Sequence, residues 1–151
     1  MQGGRGVEAE RVLDSISNGI QRYLGVKTIV SLFTGVLCFT VLQVMQIPYA
    51  PLFGFMTFLL NYIPTFGSFA AAIFPIATSL AQSDGLQEPL IIAATYLVVN
   101  VSLGSILEPR LLGRELNLSP LVILISVVVW AGLWGVPGTF LAVPLTAMLQ
   151  I

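Results

Sequence analysis

Residues 28–83 read TIVSLFTGVLCFTVLQVMQIPYAPLFGFMTFLLNYIPTFGSFAAAIFPIATSLAQS, 56 residues without one Asp, Glu, Lys or Arg. A helix at the surface of a soluble protein keeps a polar face toward water, so it does not stay uncharged for so long. Lipid removes the need for that face. Two further uncharged runs follow, 19 residues over 89–107 and 36 over 116–151. Only 9% of the 151 residues are charged and 56% are apolar, whereas a soluble domain carries about 25% charged residues. The fold class expected is therefore all-α integral membrane, with helices that span or enter a bilayer.

The punctuation within these runs divides them into segments. A flexible tail is expected over residues 1–6, because Gly3, Gly4 and Gly6 disfavour ordered structure. An amphipathic interfacial helix is expected over 7–26, with Leu13, Ile16, Ile20 and Leu24 on one face. That segment suits a membrane surface, another domain, or a plain leader into the first span. The first ten residues lack an apolar core, so they are not a signal peptide. The membrane domain, 27–151, begins with a span over 28–47, ~30 Å at helical rise and one hydrocarbon thickness. Pro48 and Pro51 enforce a turn. A short segment over 51–63 stops at Ile63-Pro64-Thr65-Phe66-Gly67, and a third over 66–83 carries Pro75, a kink site. The polar loop 84–89 precedes a fourth span over 90–107, and a second polar loop covers 108–119. Ser119-Pro120 reads as a helix start, N-cap then proline. The fifth segment, 120–134, breaks at Gly135-Val136-Pro137-Gly138, and the sixth covers 139–151 with Pro144 inside it. In all, about four to six transmembrane or re-entrant helices are expected, with two Pro/Gly-broken hairpins at 51–83 and 120–151.

Basic residues give an orientation. Arg22 and Lys27 place the N-terminal side in the cytoplasm, the acidic 84–89 loop outside, and Arg110 and Arg114 return the 108–119 loop inside.

Several chemistries are excluded. Net charge is −1 with no basic run, so nucleic acid is not a partner. The chain has no His, which removes imidazole catalysis and the commonest metal ligand. Neither a nucleophile–base pair nor a phosphate loop is present, so an enzyme is not expected, nor a metal or cofactor. Cys38, the single cysteine, reads as a small packing residue.

Candidate functional residues lie at the breaks and at the few polar positions. Short paired segments interrupted by Gly and Pro point to a transporter site, which selects Pro64, Gly67, Gly135, Pro137 and Gly138. The alternative is that each break is an ordinary interhelical turn. Asn61 and Asn100 are costly in lipid and face other helices, either as interhelical hydrogen bonds or along a pathway. Glu108 with Arg110 closes the fourth span. Its carboxylate suits a cation or proton site, or an exposed ion pair with Arg110 or Arg114 of little energetic weight.

Ile63-Pro64-Thr65-Phe66-Gly67, Glu108-Pro109-Arg110-Leu111-Leu112-Gly113-Arg114, Leu116-Asn117-Leu118-Ser119-Pro120, WAGLWGVPG over 130–138 and Leu141-Ala142-Val143-Pro144-Leu145, preceded by Ile20 to Thr28, together resemble the autoinducer-2 exporter family, also called the PerM permeases. The resemblance covers nearly the whole chain from about residue 10 and is closest to the C-terminal half of the family's members. It implies a multi-pass transporter of the bacterial or archaeal inner membrane, moving a small solute such as the autoinducer-2 signal, with sodium/proton antiport as an alternative. It also implies a missing N-terminal half and a possible homo-oligomer as partners. From another class, a non-transporting membrane scaffold stays open, in which the breaks are only turns.

Overall fold

The computed structural model describes residues 3–63, 66–83, 85–112 and 119–149, with backbone alone for 3–13, 15, 16, 66, 120, 148 and 149. Every regular element among them is helical.

Helix α1 runs from Gly3 to Val44, 42 residues without interruption. The tail expected to residue 6 and the boundary expected near residue 26 are not present in the backbone, because glycine lowers helix propensity by ~1 kcal/mol but does not forbid the helix. No proline occurs before Pro48. There the chain turns: Ile47 N–H bonds back to the Leu42 carbonyl at 3.0 Å, and Gln46 and Tyr49 take the left-handed conformation at φ 57° and 61°. Helix α2 (Ala50–Leu60) then starts with Pro51 in its first turn, where a missing N–H costs no helical bond.

Helix α3 (Phe66–Gln82) contains Pro75, which is fully buried. Helix α4 (Gln87–Val99) passes directly into a π-helical stretch, Asn100–Leu107, and then into α5 (Glu108–Leu112). The fourth span thus continues past Glu108 to Leu112, where a loop was expected. A proline in a helix clashes with the carbonyl four residues back. Here the wider turn accommodates Pro109, with Glu108 N–H reaching the Leu103 carbonyl five residues back.

Helix α6 (Pro120–Trp134) begins as the sequence reading has it, with Ser119 Oγ accepting from Val122 N–H at 3.3 Å. The following break is narrower than expected. Gly135 alone leaves the helical region, at φ 66° and ψ −140°, and α7 (Val136–Leu149) includes Pro137 in its first turn.

Two units, Ser17–Val44 at 28 residues and Gln87–Leu112 at 26, are long and apolar enough to cross a membrane, and four shorter apolar helices accompany them. α1 is the hub, packing on α2, α4, the π stretch, α5 and α7. It approaches α2 backbone to backbone: a Cβ at Gly35 would lie 2.8 Å from the Gly54 carbonyl, and one at Gly54 would lie 2.5 Å from Phe39 Cβ. Small residues permit such crossings. Cys38, Leu42, Ile47, Ala50, Phe53, Ala71, Ala72, Ile92 and Tyr96 form the core between α1, α2, α3 and α4. Polar side chains are also buried, among them Ser31, Thr34, Thr57, Asn61 and Ser79, while Ile29, Phe33, Leu121, Ile125 and Val128 face outward. The core is more polar, and the exterior more apolar, than in a soluble domain.

Candidate functional site

A cavity of about 730 Å³ lies among the helices, lined by residues of α1, α3, α4, α5, α6, α7 and the π stretch, and by Asn61 just past α2. Its polar lining includes Tyr23 and Lys27 from α1, Asn61 at the end of α2, Ser68 from α3, Tyr96 from α4, Asn100 and Ser105 from the π stretch, and Glu108.

Lys27 and Glu108 are bound to one another. Lys27 Nζ donates to Oε1 at 2.7 Å and to Oε2 at 2.9 Å, with side chains 5% and 14% exposed. The sequence reading left Glu108 as a cation or proton site or as one side of an exposed pair with Arg110 or Arg114. Instead Glu108 reaches a residue 81 positions away. Arg110 points away on the exposed surface, and Arg114 lies outside the described residues. The π stretch accounts for this, because it keeps Glu108 on a helix facing α1 rather than in a loop. Such a pair is costly to desolvate, and both carboxylate oxygens being satisfied is what makes its burial tolerable.

Asn61 joins three helices. Its amide nitrogen donates to Ser31 Oγ at 3.0 Å, and its carbonyl oxygen accepts from Ser68 Oγ at 2.9 Å. Gly67 makes this closeness possible, since a Cβ there would fall 1.6 Å from the Leu60 carbonyl. Pro64 lies outside the described residues. Ser31 is four residues from Lys27 on α1, ~6 Å along the axis, so the Asn61–Ser31 contact lies about one turn from the ion pair. Tyr62 reinforces the tip, its hydroxyl donating to Thr28 Oγ1 at 2.7 Å.

The second hairpin repeats this device. A Cβ at Gly138 would lie 1.9 Å from the Trp130 carbonyl, and Trp130 Nε1 donates to Thr146 Oγ1 at 3.1 Å. The two hairpins touch, with the rings of Tyr62 and Phe140 edge to face at 5.3 Å. This hairpin adds Ile123 and Val143 to the cavity wall, while Gly135 and Pro137 sit exposed away from it and Gly138 is buried in the hairpin contact.

Asn61, Asn100 and Glu108, picked from three separate segments, thus share one cavity. Asn100 makes no hydrogen bond through its side chain, unlike Asn61, and neither does Ser105 among the described residues. Sequence reasoning missed Lys27, Tyr23 and Tyr96 as site residues. Lys27 carried a signal as the last charge before the 56-residue run. The others carried none. Among the described residues there is no cluster of His, Cys, Asp or Glu fit to hold a metal.

Residues 4–151 match the family model described as AI-2E family transporter. The chain is 42% identical over 142 residues to the AI-2 transport protein TqsA of Escherichia coli (strain K12), covering 94% of this chain and 40% of that protein. It is 41% identical over 142 residues to a putative transport protein of Haemophilus influenzae, with the same coverage. Over 57 residues it is 44% identical to the putative permease PerM of Escherichia coli (strain K12), covering 38% of this chain and 16% of that protein. The chain spans about 40% of the length of the first two relatives.

Proposed function

The chain belongs to the AI-2E transporter family, and from that premise we propose that it is part of a multi-pass carrier of the inner membrane, exporting a small solute such as autoinducer-2 through the cavity between the helices. The observation that carries this reading is the inverted polarity around the cavity. Lys27, Asn61, Asn100 and Glu108 line it, while large apolar side chains cover the outside. Polar groups in lipid are expensive, so they collect where solute or water passes. The hairpins fit the same reading as re-entrant elements. Their legs of 11, 17, 15 and 14 residues give only ~16–26 Å against a hydrocarbon core of ~30 Å. Broken helices of this kind are tolerated where they line a cavity. The carrier works by alternating access, with the hairpin tips as the moving parts.

Cation/proton exchange at Glu108 is less well supported, because an incoming cation has to displace the Lys27 ammonium from both carboxylate oxygens. A scaffold has no use for Asn100, an amide that faces a cavity and has no partner among the described residues.

Liposomes containing the full-length protein, loaded with autoinducer-2, test the proposal. Release above that of protein-free liposomes is expected, and equal release in both contradicts it.

A further inference from the structure

Resting on the transport reading above, we propose that the Lys27–Glu108 ion pair sets the charge selectivity of the cavity, which admits uncharged hydrogen-bonding solutes and rejects anions and cations alike. Among the described lining residues these two alone carry formal charge, and they cancel at 2.7 Å. A contact pair presents only a dipole, whose field falls off faster than that of a single charge. Much of the remaining wall is apolar, including Phe69, Ile73, Ile76, Leu97 and Val101. A charged solute therefore loses water without gaining a counter-charge, a cost that such a wall enlarges. What the cavity offers instead is neutral. The Asn100 amide donates and accepts, the Ser105 hydroxyl does the same, and neither is engaged elsewhere among the described residues. Those groups suit hydroxyl and carbonyl functions.

Charge selectivity is then a property of two positions. Losing the carboxylate leaves one buried ammonium and an anion-attracting cavity, and losing the ammonium does the reverse. The test needs no knowledge of the solute. In the full-length protein in liposomes, Asn100→Cys in a background with Cys38→Ala and every other cysteine replaced carries one thiol, in the cavity wall. Its reaction rates are measured with three methanethiosulfonates of similar size: neutral hydroxyethyl, anionic sulfonatoethyl and cationic trimethylammonioethyl. With the pair intact, the neutral reagent is expected to react fastest relative to its rate with a small free thiol, both charged ones being slowed. Glu108→Gln should shift the anion-to-cation rate ratio about tenfold or more toward the anion. Lys27→Gln should shift it equally toward the cation, so either variant that folds suffices. Replacing both by Gln, or exchanging them as Lys27→Glu with Glu108→Lys, should restore the original ratio. If the neutral reagent reaches Asn100→Cys but the ratio does not move in the single variants, the selectivity inference is overturned and the transport reading survives. If even the neutral reagent fails to reach the thiol from either side, both are overturned.

Discussion

Lys27 and Glu108 stand 81 residues apart in the chain and meet through two hydrogen bonds, Nζ to Oε1 at 2.7 Å and Nζ to Oε2 at 2.9 Å. The contact ties α1 to the helix formed by α4, the π stretch and α5. Because the side chains are 5% and 14% exposed, either one alone is a poorly solvated charge. Replacing only Lys27 by Met should therefore lower stability by about 3 kcal/mol or more, whereas replacing Lys27 by Met and Glu108 by Leu together should cost less than Lys27→Met alone. Thermal unfolding in detergent, arranged as a double-mutant cycle, reads this directly. Additive losses would mean that the pair is not coupled.

The two asparagines of the cavity should behave differently. Asn61→Ala strands Ser31 and Ser68, and a lost buried partner costs about 1–3 kcal/mol. Asn100→Ala strands nothing, so its unfolding temperature should stay near that of the parent while solute flux falls. Equal destabilisation by both substitutions would contradict the assignment of Asn100 to solute rather than to packing.

At the hairpin tips, Gly67→Ala and Gly138→Ala should each destabilise strongly, since their Cβ atoms would fall 1.6 Å and 1.9 Å from backbone carbonyls. Gly19→Ala is the control, an exposed helical position with nothing within 4 Å. It should be neutral or stabilise by up to ~1 kcal/mol through helix propensity. Circular dichroism melts of the three variants distinguish close approach from a general intolerance of alanine.

The ring contact between Tyr62 and Phe140, 5.3 Å between centroids, brings the two hairpins into contact. With all other cysteines replaced, Tyr62→Cys and Phe140→Cys should be joined by a short bifunctional methanethiosulfonate, since ring-to-ring contact leaves the Cβ atoms farther apart than a direct disulfide spans. If the hairpins move during transport, flux should fall on cross-linking and recover on reduction. Cross-linking without any effect on flux would show that the hairpins are static.

Much of the helical framework was legible because it depends on local chemistry. Pro48 had to end α1, and Ser119 followed by Pro120 had to start α6. Other boundaries were missed where a local rule was overridden. Pro109 reads as a breaker, yet the π stretch absorbs it. Pro137 and Gly138 read as part of a break, yet Gly135 alone turns the chain and Pro137 fits the first turn of α7. The Gly-rich start reads as a tail, yet the helix begins at Gly3. The site was legible only in part. Asn61, Asn100 and Glu108 stand out one by one as polar residues in apolar runs. Nothing local tells that Lys27 rather than Arg110 neutralises Glu108, since that pairing depends on how α1 and α5 pack.

The central claim is that solute passes through this cavity. Flux of autoinducer-2 from liposomes containing the full-length protein with Cys38→Ala and Ala93→Cys, a cavity-wall position given no solute contact, measured before and after complete modification by a bulky neutral methanethiosulfonate, tests it most directly. The account predicts that obstructing the cavity at residue 93 abolishes flux, while the Cys38→Ala protein treated in the same way keeps it. Unchanged flux after stoichiometric modification would contradict it.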